Sequence, residues 1–419
     1  MSLIDSYRDA AAPLLTADQP EWLKSRREAA LDQFASLGFP TRKDEEWKYT
    51  QVRGLSKSVF GIPEGGGDAA AIIAATKLSD VCATLVYVNG RFDEEASSTD
   101  ALPEGVTIVR GEAAHDHIQS AQPLVEENGL DALRKAFVTD AIAIEVAANA
   151  VMNTPIHIVR VGTTSGWMAA QQTVIRVGKS AVGFIVESFA GEAGAEYFHN
   201  LSTDAAIGVN AELKHIRVQA EGNAAWHYAV HDVQVERDAR YTSFCFSTGA
   251  KTSRETVNVQ VNGSGVHSDV ASIFAPGDGQ CHDSHTLIDH HAPNCTADQL
   301  YKGILHGSGH GIFNGKVYVQ QAAQQTNANQ MNQNLMLSRD SRIDTKPQLE
   351  IFADDVRCTH GATVGQLEPE ELFYMMSRAL PAATARRIII RGFAEDALQR
   401  VTHEPTAARM RALLDVQLD

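Results

Sequence analysis

Gln348-Leu349-Glu350-Ile351-Phe352-Ala353-Asp354-Asp355-Val356-Arg357-Cys358-Thr359-His360-Gly361 decides how this chain is read. Leu349, Ile351 and Ala353 alternate with Gln348, Glu350 and Phe352, the period of a strand that turns one face inward. Asp354-Asp355 breaks the apolar set, so the phase restarts at Val356 and puts Cys358 and His360 two apart on one face of a second strand. Side chains at i and i+2 of a strand project together, roughly 6.5 Å apart at the backbone. A thiol and an imidazole are thereby presented as a pair beside Gly361, where no side chain blocks the approach of another backbone. The longer stretch from Met331 to Gly365 is a seam: short strands precede it and amphipathic helix follows.

Upstream, from about Ala141 to Gln320, short alternating runs are punctuated by Gly, Asn and Asp: Ile156 to Val161, Thr173 to Val177, Val182 to Phe189, Leu213 to Val218 and Thr256 to Val261. Many short strands at near-even spacing mean a sandwich, a barrel or a β-solenoid. No clean repeat unit chooses among them. The Gln/Asn run from Gln320 to Asn334 fits amide ladders stacked inside a solenoid better than disorder.

Both ends read differently. Glu21 to Leu37 sets Leu23, Ala30, Phe34 and Leu37 on one helical face and stops at Gly38 and Pro40. Trp47-Lys48-Tyr49 supplies aromatic anchors, Cys82 to Val88 a strand running into the turn Asn89-Gly90, and Leu124 to Val138 another helix. The tail opens at Glu368-Pro369-Glu370-Glu371, a helix amino terminus, with Leu372, Met375, Met376, Ala379 and Leu380 as its apolar face. A further helix from Ala383 carries Ile388, Ile389 and Ile390 and is expected to stop near Gly392. Helices this short and apolar need a partner, either the strand region or another protein. The expected organisation is a mainly helical region at 1–140, a strand core at 141–366 and a helical region at 367–419.

The formal charge of −16, from 36 Lys+Arg against 52 Asp+Glu, argues against nucleic acid or an acidic membrane surface as partner. Five widely spaced cysteines, Cys82, Cys245, Cys281, Cys295 and Cys358, are not a disulfide framework. The start, Met1 to Asp9, is charged where a signal peptide is apolar, and no apolar run approaches about 20 residues, so a reduced, cytoplasmic protein is expected.

Three groups invite chemistry. Gly178-Lys179-Ser180 resembles the end of a phosphate-binding loop, but Thr173 stands where that motif needs Gly, and the segment reads strand, turn, strand. Gly307 to Gly311 has no helix after it. Cys281, His282, His285, His290, His291 and Cys295 offer soft and imidazole ligands at spacings that match no standard zinc finger; stacked polar side chains are the expected reading. Arg339, Arg342 and Lys346 read as a solvated edge or as ion pairs with Asp340 and Asp344.

Taken together, Asn334-Leu-Met-Leu-Ser338-Arg-Asp-Ser-Arg342, Lys346-Pro347-Gln-Leu-Glu350-Ile351 and Asp355-Val-Arg-Cys358-Thr-His360-Gly-Ala-Thr-Val-Gly365 resemble the SufB/SufD family of iron–sulfur cluster assembly proteins. Cys358-Thr359-His360 resembles its SufD branch, as does Pro40-Thr-Arg-Lys-Asp-Glu-Glu-Trp47-Lys-Tyr-Thr50. The resemblance spans nearly the whole chain. It implies a right-handed parallel β-helix flanked by helices, a SufB-like partner, and a non-catalytic scaffold role, with ATP hydrolysis in a separate SufC-like ABC-type ATPase. It further implies that Cys358 and His360 lie at the partner interface, where iron or a nascent cluster is held transiently with ligands from the partner; thiolate and imidazole both suit iron. The ATPase would dock on the tail through Leu372, Met376, Leu380, Arg386, Ile389, Gly392 and Phe393. An isolated subunit is open to homodimer pairing through its strand edges. Two other readings stand beside this one: a β-solenoid hydrolase or lyase acting on a polysaccharide, disfavoured by dispersed acids, and an independent metal-binding protein using the Cys281–Cys295 group.

Overall fold

The computed structural model describes residues 3–50, 52–119, 121 and 123–418, so Met1, Ser2 and Asp419 lie outside the described residues. Helices α1 (Leu3–Thr16), α2 (Glu21–Leu37) and α3 (Ala70–Thr76) come first. Strands β1 (Ala83–Val88), β2 (Arg91–Ser98) and β3 (Val106–Arg110) precede helices α4 (His115–Gln119) and α5 (Gly129–Phe137). The core then runs through β4 (Asp140–Val146), β5 (Ile156–Gly162), β6 (Met168–Val177), β7 (Val182–Gly191), β8 (Phe198–Ile207) and β9 (Glu212–Glu221). It continues with β10 (Trp226–Val235), β11 (Arg240–Gly249), β12 (Thr252–Val261), β13 (His267–Ala275) and β14 (Cys281–His290). The last strands are β15 (Thr296–Leu305), β16 (His310–Val319), β17 (Asn327–Met336), β18 (Arg342–Ile351) and β19 (Arg357–Gly365). Helices α6 (Pro369–Ser377), α7 (Ala382–Leu398) and α8 (Glu404–Leu418) follow.

Odd-numbered strands from β5 to β19 form one parallel sheet and even-numbered strands from β4 to β18 the other, so each coil gives one strand to each sheet and about eight coils stack into a β-solenoid. The parallel β-solenoid expected from the resemblance is thus the observed core. Ile144, Ile175, Ala205, Val233, Val259, Ile288, Val317 and Leu349 are register partners along one row, and all but Leu349 are fully buried. The alternation read at Leu349 is therefore the last rung of a ladder that traverses the molecule. Each buried Ile or Val rung is worth roughly 1.5–3 kcal/mol of transfer free energy.

No exact repeat shows in the sequence because coil length varies. Register partners are 26 residues apart from Trp226 to Thr252 and 32 apart from His310 to Arg342. One corner of the coil nevertheless recurs in the left-handed region, at Asn149, Ser180, Asn210, Asp238, Gly265, Asn294 and Gln325, with φ between 57° and 73°. Backbone hydrogen bonds at the corners join one coil to the next, as from Asn210 N to Arg237 O and from Asp238 N to Ser264 O. Small polar residues and glycine tolerate that conformation best, which accounts for the punctuation seen in the sequence.

The two ends of the solenoid differ. At the first, β1 pairs antiparallel with β2 through Asn89 and Gly90, whose φ values of 46° and 76° suit a type I′ turn, and β3 lies antiparallel on β4. The β2 edge carries Arg91, Asp93, Glu94 and Glu95, charges that discourage further pairing. At the other end β18 and β19 pair on one side only.

Each sheet is covered by helix. α1, α2 and α5 pack Tyr7, Phe34, Leu133 and Phe137 over the outward side chains Met168, Phe198, Trp226 and Tyr228 of the even-numbered sheet. α7 and α8 set Ile390, Ala394, Leu398, Met410 and Leu414 against the core from the side of β13 and β15. α2 has the bounds expected, with Leu23, Ala30 and Phe34 buried, whereas Leu37 is exposed. The helix expected from Leu124 begins only at Gly129, because Asn128 accepts from Leu130 N and caps it. α7 does not stop at Gly392: burial of Ala394, Ala397 and Leu398 carries it six residues further. α1 lies in the region expected to be mainly helical, ahead of the first helix that periodicity delimits there.

Candidate functional site

Cys358 and His360 lie on β19, opposite Ala328 and Gln330 of β17. Those partners are fully buried, so the Cys–His pair continues the inward-facing rows of the solenoid at the point where no further coil covers them. Ala297, Ala328 and Cys358 form one row; Gln299, Gln330 and His360 form the next, with Gln330 Nε2 donating to Gln299 Oε1 at 3.1 Å. Amide ladders do fill this part of the interior, since Asn334 Nδ2 also donates to Asn332 Oδ1 at 2.7 Å. Cys358 is half-buried and His360 exposed, and burial pushes the Cys358 thiol up from its ordinary pKa. Gly361 faces Met331, whose Cε would lie 3.1 Å from an added Cβ. Around the pair, Ile351, Phe352 and Val364 expose 38%, 56% and 51% of their surface, an apolar fringe on an unpaired strand end.

Two of the upstream basic residues, Arg342 and Lys346, are engaged. Arg342 pairs with Asp344 at 2.9 Å, as expected, and Asp344 also accepts from His310 Nε2 at 2.7 Å. Lys346 instead reaches Glu45 of the amino-terminal arm, 2.8 Å away, a partner that local sequence could not supply. That arm clasps the even-numbered sheet: Arg254 Nη1 donates to Glu46 O at 2.8 Å and to Asp283 Oδ2 at 2.7 Å, and Asn314 Nδ2 donates to Glu46 Oε2 at 2.8 Å. The His285 hydrogen bond holds the Glu46 carboxyl at about 2.

Strand alternation divides the Cys281–Cys295 group. Cys281 and His285 face outward with Asp283, whereas His282 and His290 point into the lumen. His291 pairs with Asp289 at 2.9 Å, and Cys295 sits in the following bend, its thiol 3.3 Å from Gly263 O. Gly178-Lys179-Ser180 forms a corner between β6 and β7, as read from sequence.

On the tail, α6 has no buried residue; Phe373, Tyr374 and Met376 are its most exposed apolar side chains, while Leu372 and Leu380 are half-buried. Arg386 Nη2 donates to Leu337 O at 3.3 Å, Ile389 is half-buried, and Gly392 is exposed with open space beside it. Phe393 packs under the buried Lys302, whose Nζ is 4.4 Å from the ring and ion-pairs with Asp396 at 2.7 Å.

A second set of polar residues went unread. Inside the solenoid Arg160, Glu187, His199, His215, Arg217, Glu221, His227, His231 and Glu255 are all fully or almost fully buried. Their signal lay in register: His199 is opposite His227, and Glu187 opposite Arg217. Only knowledge of the coil length turns those separations into contacts.

Among the described residues no helix is long and apolar enough to cross a membrane, and none of the five cysteines is in a disulfide. A two-sheeted β-solenoid with one closed end, one open apolar end and flanking helices defines the class. The chain belongs to the SufBD family of iron–sulfur cluster assembly proteins: residues 160–393 match the SUF system FeS cluster assembly, SufBD core domain, and residues 1–158 match the SufBD protein N-terminal region. It is 31% identical to the iron–sulfur cluster assembly SufBD family protein slr0076 of Synechocystis, over 95% of this chain and 92% of that protein. It is 28% identical to the iron–sulfur cluster assembly protein SufD of Escherichia coli, over 93% of this chain and 91% of that one. The SufD of Bacillus subtilis is 24% identical over 90% and 89%.

Proposed function

We propose that this chain is the SufD-like half of a cytoplasmic scaffold on which an iron–sulfur cluster is built, joined through β18 and β19 to a SufB-like subunit. The observation that carries the reading is the asymmetry of the ends: charges guard β2, whereas β18 and β19 end in unpaired edges fringed by Ile351, Phe352 and Val364. A partner strand would satisfy those edges and bury the fringe. Cys358 and His360 then face the partner and supply two ligands to the iron or cluster being assembled, the partner supplying the rest. A SufC-like ATPase docks on the tail, where α6 and the exposed parts of α7 present apolar surface, and ATP is hydrolysed there rather than in this chain. Without its partner the same edge pairs with a second copy.

Co-expression with SufB-like and SufC-like proteins from the same source, purified by a tag on this chain alone, tests the reading. A stable three-component complex of fixed stoichiometry is expected; recovery of this chain alone would overturn it.

A further inference from the structure

Three side chains converge inside the solenoid, far in sequence from the last coil. His199 on β8, Glu221 at the end of β9 and His227 at the start of β10 have side chains at most 1% exposed. His199 Nδ1 is 2.6 Å from Glu221 Oε1, and His227 Nδ1 is 2.8 Å from Glu221 Oε2. Each offers a donor atom within 4.8 Å of the other two. The imidazole rings stand 72° apart, so their nitrogens meet at the carboxylate rather than stacking.

We propose that His199, Glu221 and His227 form a binding site for one divalent transition-metal ion, of the class of zinc(II) or iron(II), that ties three successive strands together in the solenoid interior. Two imidazole nitrogens and one carboxylate oxygen are a donor set that these borderline ions favour over magnesium or calcium.

The surroundings support an ion here. His227 Nε2 lies 3.4 Å from Glu255 Oε1, and neither atom has a hydrogen-bond partner. With Nδ1 on the metal, His227 carries its proton on Nε2, facing Glu255, the carboxylate–histidine–metal relay that orients such ligands. The Tyr197 hydroxyl is fully buried and stands beside Glu221 as a further oxygen donor. Gln219 Nε2 donates to Glu221 Oε2 at 3.1 Å and fixes the carboxylate. Trp167, Tyr197 and Phe189 wall the rings of His199 and His227 and keep water out.

Charge selects this triad over its neighbour. Glu187, His215 and His231 are equally close, but Arg160 already pairs with Glu187, and Arg217 Nη1 lies 3.3 Å from His215 Nδ1. Two guanidinium groups repel a cation there, whereas no arginine pairs with Glu221 among the described residues.

Because the site is enclosed, the ion enters as the chain folds. The test is metal analysis of the full chain expressed in medium supplemented with zinc or iron, purified without oxygen and washed with chelator. Close to one equivalent per chain is expected. His199→Gln and His227→Gln should reduce it at least tenfold, while Cys358→Ser and His215→Gln retain it. X-ray absorption at the metal edge of the wild-type protein gives an answer independent of whether the variants fold: a nitrogen/oxygen shell with two imidazoles is expected. A sulfur shell, less than a tenth of an equivalent in wild type, or full metal in a folded His227→Gln protein would each overturn the site.

Discussion

The Arg254 guanidinium stands 3.8 Å from the centre of the Trp47 ring. Trp47 is buried, its ring 5.6 Å from that of Tyr228, and residues 45–50 around it contact β12, β14, β16 and β18. An arm near the start of the chain thus spans successive coils out to the last one.

Trp47→Ala removes the buried ring and unstacks Arg254, leaving a guanidinium whose apolar cover is gone. A loss of about 3–5 kcal/mol is expected, read as a lower urea midpoint. Lys346→Ala, which deletes an exposed ion pair with Glu45, should leave the midpoint where it was. Equal midpoints for wild type and Trp47→Ala would remove the arm from the account of stability.

How much of this was legible in sequence depends on whether the cause is local. Leu349, Ile351, Cys358 and His360 were placed on their strand faces by alternation alone, because strand geometry fixes side-chain direction two residues at a time. Gly392 was misread because a glycine stops a helix only when nothing beyond it is buried, and the surface that buries Ala394 and Leu398 comes from strands about a hundred residues earlier. The partner of Lys346 and the convergence of His199, Glu221 and His227 depend on coil length, which varies from turn to turn and leaves no fixed period to find.

Acid should unfold the protein steeply. Burial pushes His282 and His290 down to about 4 and His157 to about 3, and burial with Arg217 brings His215 to about 4. A histidine depressed in the folded state stabilises above its unfolded value of about 6.5, and that stability is lost as pH falls through the folded value. Urea midpoints should therefore drop between pH 6.5 and 4, by up to about 1.4 kcal/mol per pH unit for each group. His290→Gln should make the acid limb shallower; an unchanged slope would exclude His290 as a contributor.

The exposed apolar face of α6 gives a cleaner test of ATPase docking than removal of residues 368–419. That deletion also strips Ile390, Ala394 and Leu398 from the core, so lost binding would follow from unfolding as readily as from a lost surface. Phe373→Asp and Met376→Asp alter side chains 74% and 48% exposed, and should leave the thermal midpoint within about 0.5 kcal/mol of wild type. Capture of a SufC-like ATPase by the tagged variants should fall at least tenfold. Full capture by both would move the docking surface off α6.

His360→Ala and Cys358→Ser probe the last coil. His360 is exposed, and its row ends there, so neither packing nor the Gln330–Gln299 amide bond depends on the ring. Cys358 is half-buried, and serine keeps its volume, so both variants should melt within about 0.5 kcal/mol of wild type. Both should still co-purify with a SufB-like partner, because the unpaired edges and the apolar fringe are untouched. Maturation of iron–sulfur client proteins in cells lacking the native gene should nevertheless fall several-fold, more for His360→Ala, whose imidazole stands in solvent, than for Cys358→Ser, whose thiol burial keeps protonated. Complexes that assemble normally and mature their clients at the wild-type rate would take the cluster away from this pair and leave β19 as a docking strand alone.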